Sequence, residues 1–221
     1  MTHRFSELMF TPGVKQLQEA DGSRVSYARF EAPRFPAKDQ LMQGEAKFIA
    51  QRDSFYIATV SENGWPYVQH RGGAPGFVKV LDARTLGFVD YPGNRQFISF
   101  GNIAGDDRVS LFLMDYPNRR RLKILGHARP VDPSTDLRLA EGAAGTERET
   151  TGRGTIIAIE AFDWNCPQYI TPRFTEVELE PLYSSLKSLE AENAKLRREL
   201  AKHSGKIKNQ DFSTSSRGQI D

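Results

Sequence analysis

FVDYPGNRQ, residues 88–96, reads as the end of an apolar strand, a Pro-Gly break and the opening of a helix. The strand Thr85–Asp90 stops at Pro92-Gly93, and Asn94-Arg95-Gln96 begins a helical pattern with Asn94 as its N-cap. A helix start offers unpaired N–H groups and the positive end of a dipole. Arg95 there is at the unfavourable end for a cation unless an anion joins it, so the segment reads as an anion site. Just upstream, HRGGAPGF, residues 70–77, carries glycines 72, 73 and 76. Backbone without Cβ atoms lets a flat ligand approach closely. An anion pocket beside such a loop suits a phosphorylated planar cofactor, which points to a flavin.

Around these segments the chain alternates strands and turns. Ser54–Val60 and Trp65–Arg71 flank the turn Glu62-Asn63-Gly64. Phe77–Leu81 pairs with Leu86–Asp90, and Arg108–Met114 with Leu122–Val131, while Thr155–Phe162 adds a further strand. Helices are expected at Thr11–Asp21, Asp39–Arg52, Asn94–Asn102 and Asp132–Leu139. Ala32–Pro36 reads as extended and Gly142–Gly154 as a polar loop. Six or seven strands in hairpin succession with short helices favour a mainly β, antiparallel split barrel over a parallel sheet. The expected division is an N-terminal arm over 1–36, the barrel over 37–178, a helix over 179–203 and a disordered tail over 204–221.

Composition excludes several classes. The chain has 221 residues, enough for one domain with a real core. Thirty basic residues against 28 acidic leave a formal charge of +2, too balanced for bulk nucleic-acid binding. A single cysteine excludes an internal disulfide framework, and the four histidines lack metal-ligand spacing. No apolar run approaches a membrane span and the N-terminus lacks a signal-peptide core, so a soluble cytoplasmic protein is expected.

Leu179, Leu182, Leu186, Leu189, Asn193, Leu196 and Leu200 recur at alternating spacings of three and four. That is an a/d seam with Asn193 at an a position, where asparagine sets register in a two-stranded parallel coiled coil. The competing reading is a single amphipathic helix lying on the barrel.

Taken in order, the strand, the GNRQ start and the strands RVSLFLM and LKILGHARPV resemble the pyridoxamine 5′-phosphate oxidase-like family of FMN-binding split barrels. The resemblance runs from about Glu45 to Val131. It implies a homodimer with FMN held at the subunit interface by both chains. Arg95 and Gln96 match the family's Arg-Lys pair on the FMN phosphate, with glutamine replacing the lysine, which shifts weight to Arg95 and Lys79. Val89 and Asp90 match the strand end beside the ribityl chain. Either His70, Arg71, Gly72 and Gly73 or the segment Ala74–Lys79, with Phe77 and Val78, matches the strand under the flavin ring. Arg121 stands where the family has a glutamine from the partner subunit, and Trp164-Asn165 belongs to a segment expected near the flavin. The substrate-phosphate residues of the true oxidases have no counterpart here.

The expected function is therefore an FMN-binding oxidoreductase that passes hydride or electrons, with NAD(P)H as one candidate donor. The alternatives are a non-enzymatic flavin sensor or carrier, or a split barrel that holds deazaflavin or haem. Catalytic residues cannot be named, and neither nucleic acid nor membrane is expected as a partner. Cys166 reads as a buried small apolar residue.

Overall fold

A computed structural model describes residues 3–32, 37–90, 94–133, 139, 152–164 and 166–214, with side chains described up to residue 203. The expected helix over 132–139, most of the loop over 142–154, the extended stretch at 33–36 and Asn165 lie outside the described residues. The chain forms two compact units, Met1–Pro172 and Arg173–Asp221.

The first unit is one seven-stranded sheet: β1 Ser54–Val60, β2 Pro66–Gly72, β3 Lys79–Asp82, β4 Thr85–Asp90, β5 Arg108–Asp115, β6 Arg120–Val131 and β7 Arg153–Trp164. The order is β2-β1-β5-β6-β7-β4-β3, and the recorded pairings are all antiparallel. Its two edge strands are consecutive in sequence, so the loop Gly73–Val78 ties one edge to the other. The sheet also curls. Phe55 of β1 stacks on Phe77 at 5.8 Å and meets Phe88 of β4 edge-on at 5.2 Å, although β1 and β4 are not neighbours in the sheet. Those contacts cross the interior, as the expected antiparallel split barrel requires.

The interior follows from strand alternation. Phe55 and Ile57, Leu111 and Leu113, Leu122 and Ile124, and Leu86 and Phe88 are each 3% exposed or less. Each fully buried side chain of this kind contributes roughly 1.5–3 kcal/mol. The opposite face of β1 and β2 remains open, with Tyr56, Val60 and Val68 at 39%, 37% and 61% exposure.

Helices close the ends. α1 Arg4–Met9, α2 Pro12–Asp21 and α3 Arg24–Ala28 form the N-terminal arm. α2 is the expected helix: Thr11 Oγ1 accepts from Val14 N–H at 3.5 Å, and Gly22 ends it at φ 80°. Arg4 pairs with Glu160 of β7, and His3 Nε2 lies 3.8 Å from Asp163. The arm thus belongs to the barrel unit rather than standing apart. α4, Gln43–Ala50, is shorter than the expected Asp39–Arg52, because Glu45 reaches back to the Met42 N–H at 3.1 Å and sets the start there. It still buries Phe48 and Ile49.

α5 spans Ile98–Gly105, so the expected start at Asn94 is corrected. Asn94 does not cap the helix; its Oδ1 accepts from the Gln96 N–H at 3.2 Å in a local turn. Arg95 and Phe97 then take left-handed φ values of 58° and 54°. The chain turns twice before the helix can form.

In the second unit, α6 runs from Glu176 to Thr214. It opens earlier than expected through a reciprocal cap, in which Thr175 N–H donates to Glu178 at 2.8 Å and Glu178 N–H to Thr175 Oγ1 at 3.3 Å. Pro181 consequently lies inside the helix. The helix also runs past His203 into the stretch expected to lack structure, since only Gly205 there strongly opposes helix. Leu182, Leu186, Leu189, Leu196 and Leu200 are 52–68% exposed.

Candidate functional site

A narrow cleft of about 10 Å³, room for about one water, enters the barrel beside α5. Ile57 and Arg71 line it from β1 and β2, Phe88 and Thr155 from β4 and β7, and Ser99, Phe100 and Ile103 from α5. Two hydrogen bonds fix α5 against the β1–β2 wall. Ser99 Oγ donates to Gln69 Oε1 at 2.8 Å, and Asn102 Nδ2 to Thr59 Oγ1 at 2.9 Å.

Charge converges at this entrance. Arg71 Nη2 lies 3.1 Å from Asp90 Oδ2, and the two side chains are only 12% and 19% exposed. Burial pushes the Asp90 carboxyl above its usual range, with the Arg71 charge opposing. Arg71 Nε is buried and has no hydrogen-bond partner. Directly across the ladder from Asp90 stands Arg153, whose guanidinium lies 4.4 Å from the Phe97 ring centroid. Arg95 is exposed in the same Asn94–Phe97 loop, and among the described residues it makes no ion pair. Arg153 was not among the residues the sequence singled out. Its signal was the run Gly152-Arg153-Gly154, since glycines flanking one residue at a strand start mark close backbone approach.

The remaining sequence-derived residues are spread around the barrel. Arg71 faces inward from β2, whereas His70 faces outward and meets Tyr56 edge-on at 5.5 Å. Phe77 stacks in the core and Val78 is 2% exposed, so both are spent on packing. The glycines also have internal reasons. A Cβ on Gly73 would lie 2.7 Å from the Phe77 ring, Gly76 sits at φ 83°, and a Cβ on Gly72 would meet the His70 ring at 3.1 Å. The loop's own packing thus favours glycine at 73 and its backbone conformation favours glycine at 76. Lys79 opposes Gly87 and, like Val89, lies on the sheet face opposite Phe88 and Asp90.

Arg121 lies on the outer face of β6 opposite Met114, and its Nε is buried without a partner. Trp164 is held within the chain: its Nε1 donates to Glu45 Oε1 at 2.8 Å, its ring meets Phe48 at 4.7 Å, and Arg120 lies 4.6 Å from a Trp164 ring centroid. Cys166 is exposed rather than buried, because it follows the end of β7. Among the described residues no helix is long and apolar enough to cross a membrane.

Comparison with known proteins places the fold. No curated protein sequence matches the chain. Among solved structures, a Lactobacillus delbrueckii protein assigned as a pyridoxamine 5′-phosphate oxidase is 22% identical with a TM-score of 0.45, over 57% of this chain and 94% of that one. An F420 reductase is 19% identical with a TM-score of 0.41, over 56% and 98%. HutZ, the heme storage protein of Vibrio cholerae, is 14% identical with a TM-score of 0.40, over 56% and 94%. The sequence model of the family described as pyridoxamine 5′-phosphate oxidase matches residues 42–160, more than half the chain and all of it from the start of α4 to Glu160 of β7. The chain belongs to the pyridoxamine 5′-phosphate oxidase family.

Proposed function

We propose that the protein binds FMN, with its phosphate at the Asn94–Phe97 loop, and acts as a flavin-dependent oxidoreductase. The observation that carries this reading is the charge balance of the cleft mouth. Arg71 and Arg153 stand there with Asp90, and Arg95 belongs to the adjoining Asn94–Phe97 loop. The buried, unpartnered Arg71 Nε supports a further acceptor at that position. Such a donor set fits a dianionic phosphate better than a neutral ligand.

In this reading the chain binds and orients. Arg95 takes the phosphate, Asp90 keeps Arg71 from being a bare cation when the site is empty, and the Phe88 and Phe100 walls exclude water. FMN, when bound, supplies hydride or electron transfer. The open apolar face of β1 and β2 fits a second copy of the chain. Arg121, with its buried unpaired Nε on the outer face of the sheet, fits a contact with the partner's flavin.

The first test is the absorption spectrum of the purified protein, because FMN, deazaflavin and haem absorb differently. The second is Arg95→Ala. A lost charge-assisted phosphate contact costs about 1.5–3 kcal/mol, so this variant should purify folded and largely flavin-free. Full FMN retention would remove Arg95 from the site. NAD(P)H turnover with varied acceptors separates an enzyme from a carrier.

A further inference from the structure

Arg153 holds the one guanidinium at the cleft mouth that is placed by the sheet and stacked on aromatic rings, yet makes no ion pair or hydrogen bond among the described residues. Its placement is set by its neighbours. A Cβ on Gly152 would reach Asp90 O at 3.0 Å, and one on Gly154 would reach Val131 O at 3.0 Å. The start of β7 is therefore pressed tightly between β4 and β6, and Arg153 supplies the only side chain of that tripeptide.

Register decides where that side chain goes. Phe88 opposes Thr155, and both line the cleft; two residues along, Asp90 opposes Arg153. Strand alternation puts both of the latter on the cleft face, at its mouth. Opposite charges directly across a ladder ordinarily pair. Here Asp90 pairs with Arg71 instead, and Arg153 lies over Phe97 at 4.4 Å and Phe100 at 5.6 Å. Those rings lie under the guanidinium beside the Asn94–Phe97 loop, and among the described residues its N–H groups make no hydrogen bond.

We propose that Arg153 is a phosphate-binding residue that supplies the second positive charge which Gln96 does not. This rests on the flavin reading above. With it, Arg71, Arg153 and, from the adjoining loop, Arg95 outnumber Asp90 by two among the described residues of this region. That matches a phosphate monoester, which carries about −1.5 to −2 at neutral pH. Without it the excess is one, and the preference for FMN over a neutral flavin would shrink.

The test compares FMN with riboflavin, which has the ring and side chain but no phosphate, by fluorescence titration of flavin-free full-length protein. Arg153→Met keeps the apolar stem on Phe97 and Phe100, Arg153→Gln keeps a polar one, and Arg153→Lys keeps the charge. Met and Gln should weaken FMN by roughly 10- to 100-fold and leave riboflavin within about twofold, and Lys should recover part of the loss. If the uncharged variants bind FMN as wild type does, or lose both flavins equally, Arg153 is not a phosphate ligand. Either uncharged variant alone decides this, so one that fails to fold leaves the other as the test. Wild-type protein that binds FMN no better than riboflavin, or binds neither, overturns the flavin-phosphate reading itself, and this assignment with it.

Discussion

Replacing Arg71 with methionine should destabilise the barrel in a way that depends on pH, and the direction follows from Asp90. The pair is 3.1 Å apart and mostly buried. At an effective dielectric of about 20, its attraction is on the order of 5 kcal/mol before desolvation. Even so, the Asp90 carboxyl sits above its usual range, with burial as the first cause. Desolvation therefore outweighs the attraction. Without Arg71 the acid is buried with no nearby cation and rises further. Breaking such a pair from one side costs about 3–5 kcal/mol when the remaining charge cannot escape. Asp90 can escape by taking a proton, so the full cost should appear near about pH 8 and shrink toward about pH 5. The sign is fixed by linkage. Between the ordinary carboxylate value and the raised one, the native state binds more protons than the unfolded state, so stability falls as pH rises. The limiting slope is about 1.4 kcal/mol per pH unit. Asp90→Asn removes the anion and should cost less than Arg71→Met at about pH 8. The double variant should resemble Asp90→Asn alone. Urea midpoints of flavin-free protein across that pH range measure all four corners of the cycle. A cost that is flat with pH, or single costs that add within about 0.5 kcal/mol, would refute the coupling.

Gly73→Ala would put a Cβ 2.7 Å from the Phe77 ring and should cost about 1–3 kcal/mol, as read from urea midpoints. His3 is held below its ordinary pKa by burial, with Asp163 opposing and Lys38 assisting. The unfolded chain therefore protonates first on acidification below about pH 6.5, and thermal stability should fall there in wild type but not in His3→Gln. Exposure of the α6 leucines fits pairing with a second copy, so Asn193→Cys in a Cys166→Ser background should form an interchain disulfide under mild oxidation. Its absence would favour a helix that does not pair in register.

Strands were legible in this sequence because their signal is local. Ser54–Val60 alternates and is bounded by turn residues, and it formed over the range expected. α2 was legible for the same reason, since Thr11-Pro12 and Gly22 mark both of its ends. The start of α5 was not. Arg95 and Phe97 occupy left-handed backbone, a conformation that neither residue type advertises, and the expected cap at Asn94 became a local turn. The glycines at 72, 73 and 76 were visible, but the packing around 72 and 73 was not. Their neighbours are a histidine two residues back and a phenylalanine four residues on, and only the folded loop brings these into contact.

The site divides along the same line between local and distant. Arg71, Asp90 and Arg95 could be named from sequence because each sits at a strand end or turn with its own chemical signature. That Arg71 and Asp90 form one pair follows only from the curling of β2 toward β4. Arg153 needs more still: its relation to Asp90 exists only in the β4–β7 register, reached after two further strands and a long intervening stretch. Read linearly, it is one arginine in a polar run. Read through the ladder, it stands opposite the carboxylate that another arginine already holds, and among the described residues it makes no ion pair of its own. The cation that distinguishes FMN from riboflavin is, on this reading, the one whose position depends most on tertiary pairing.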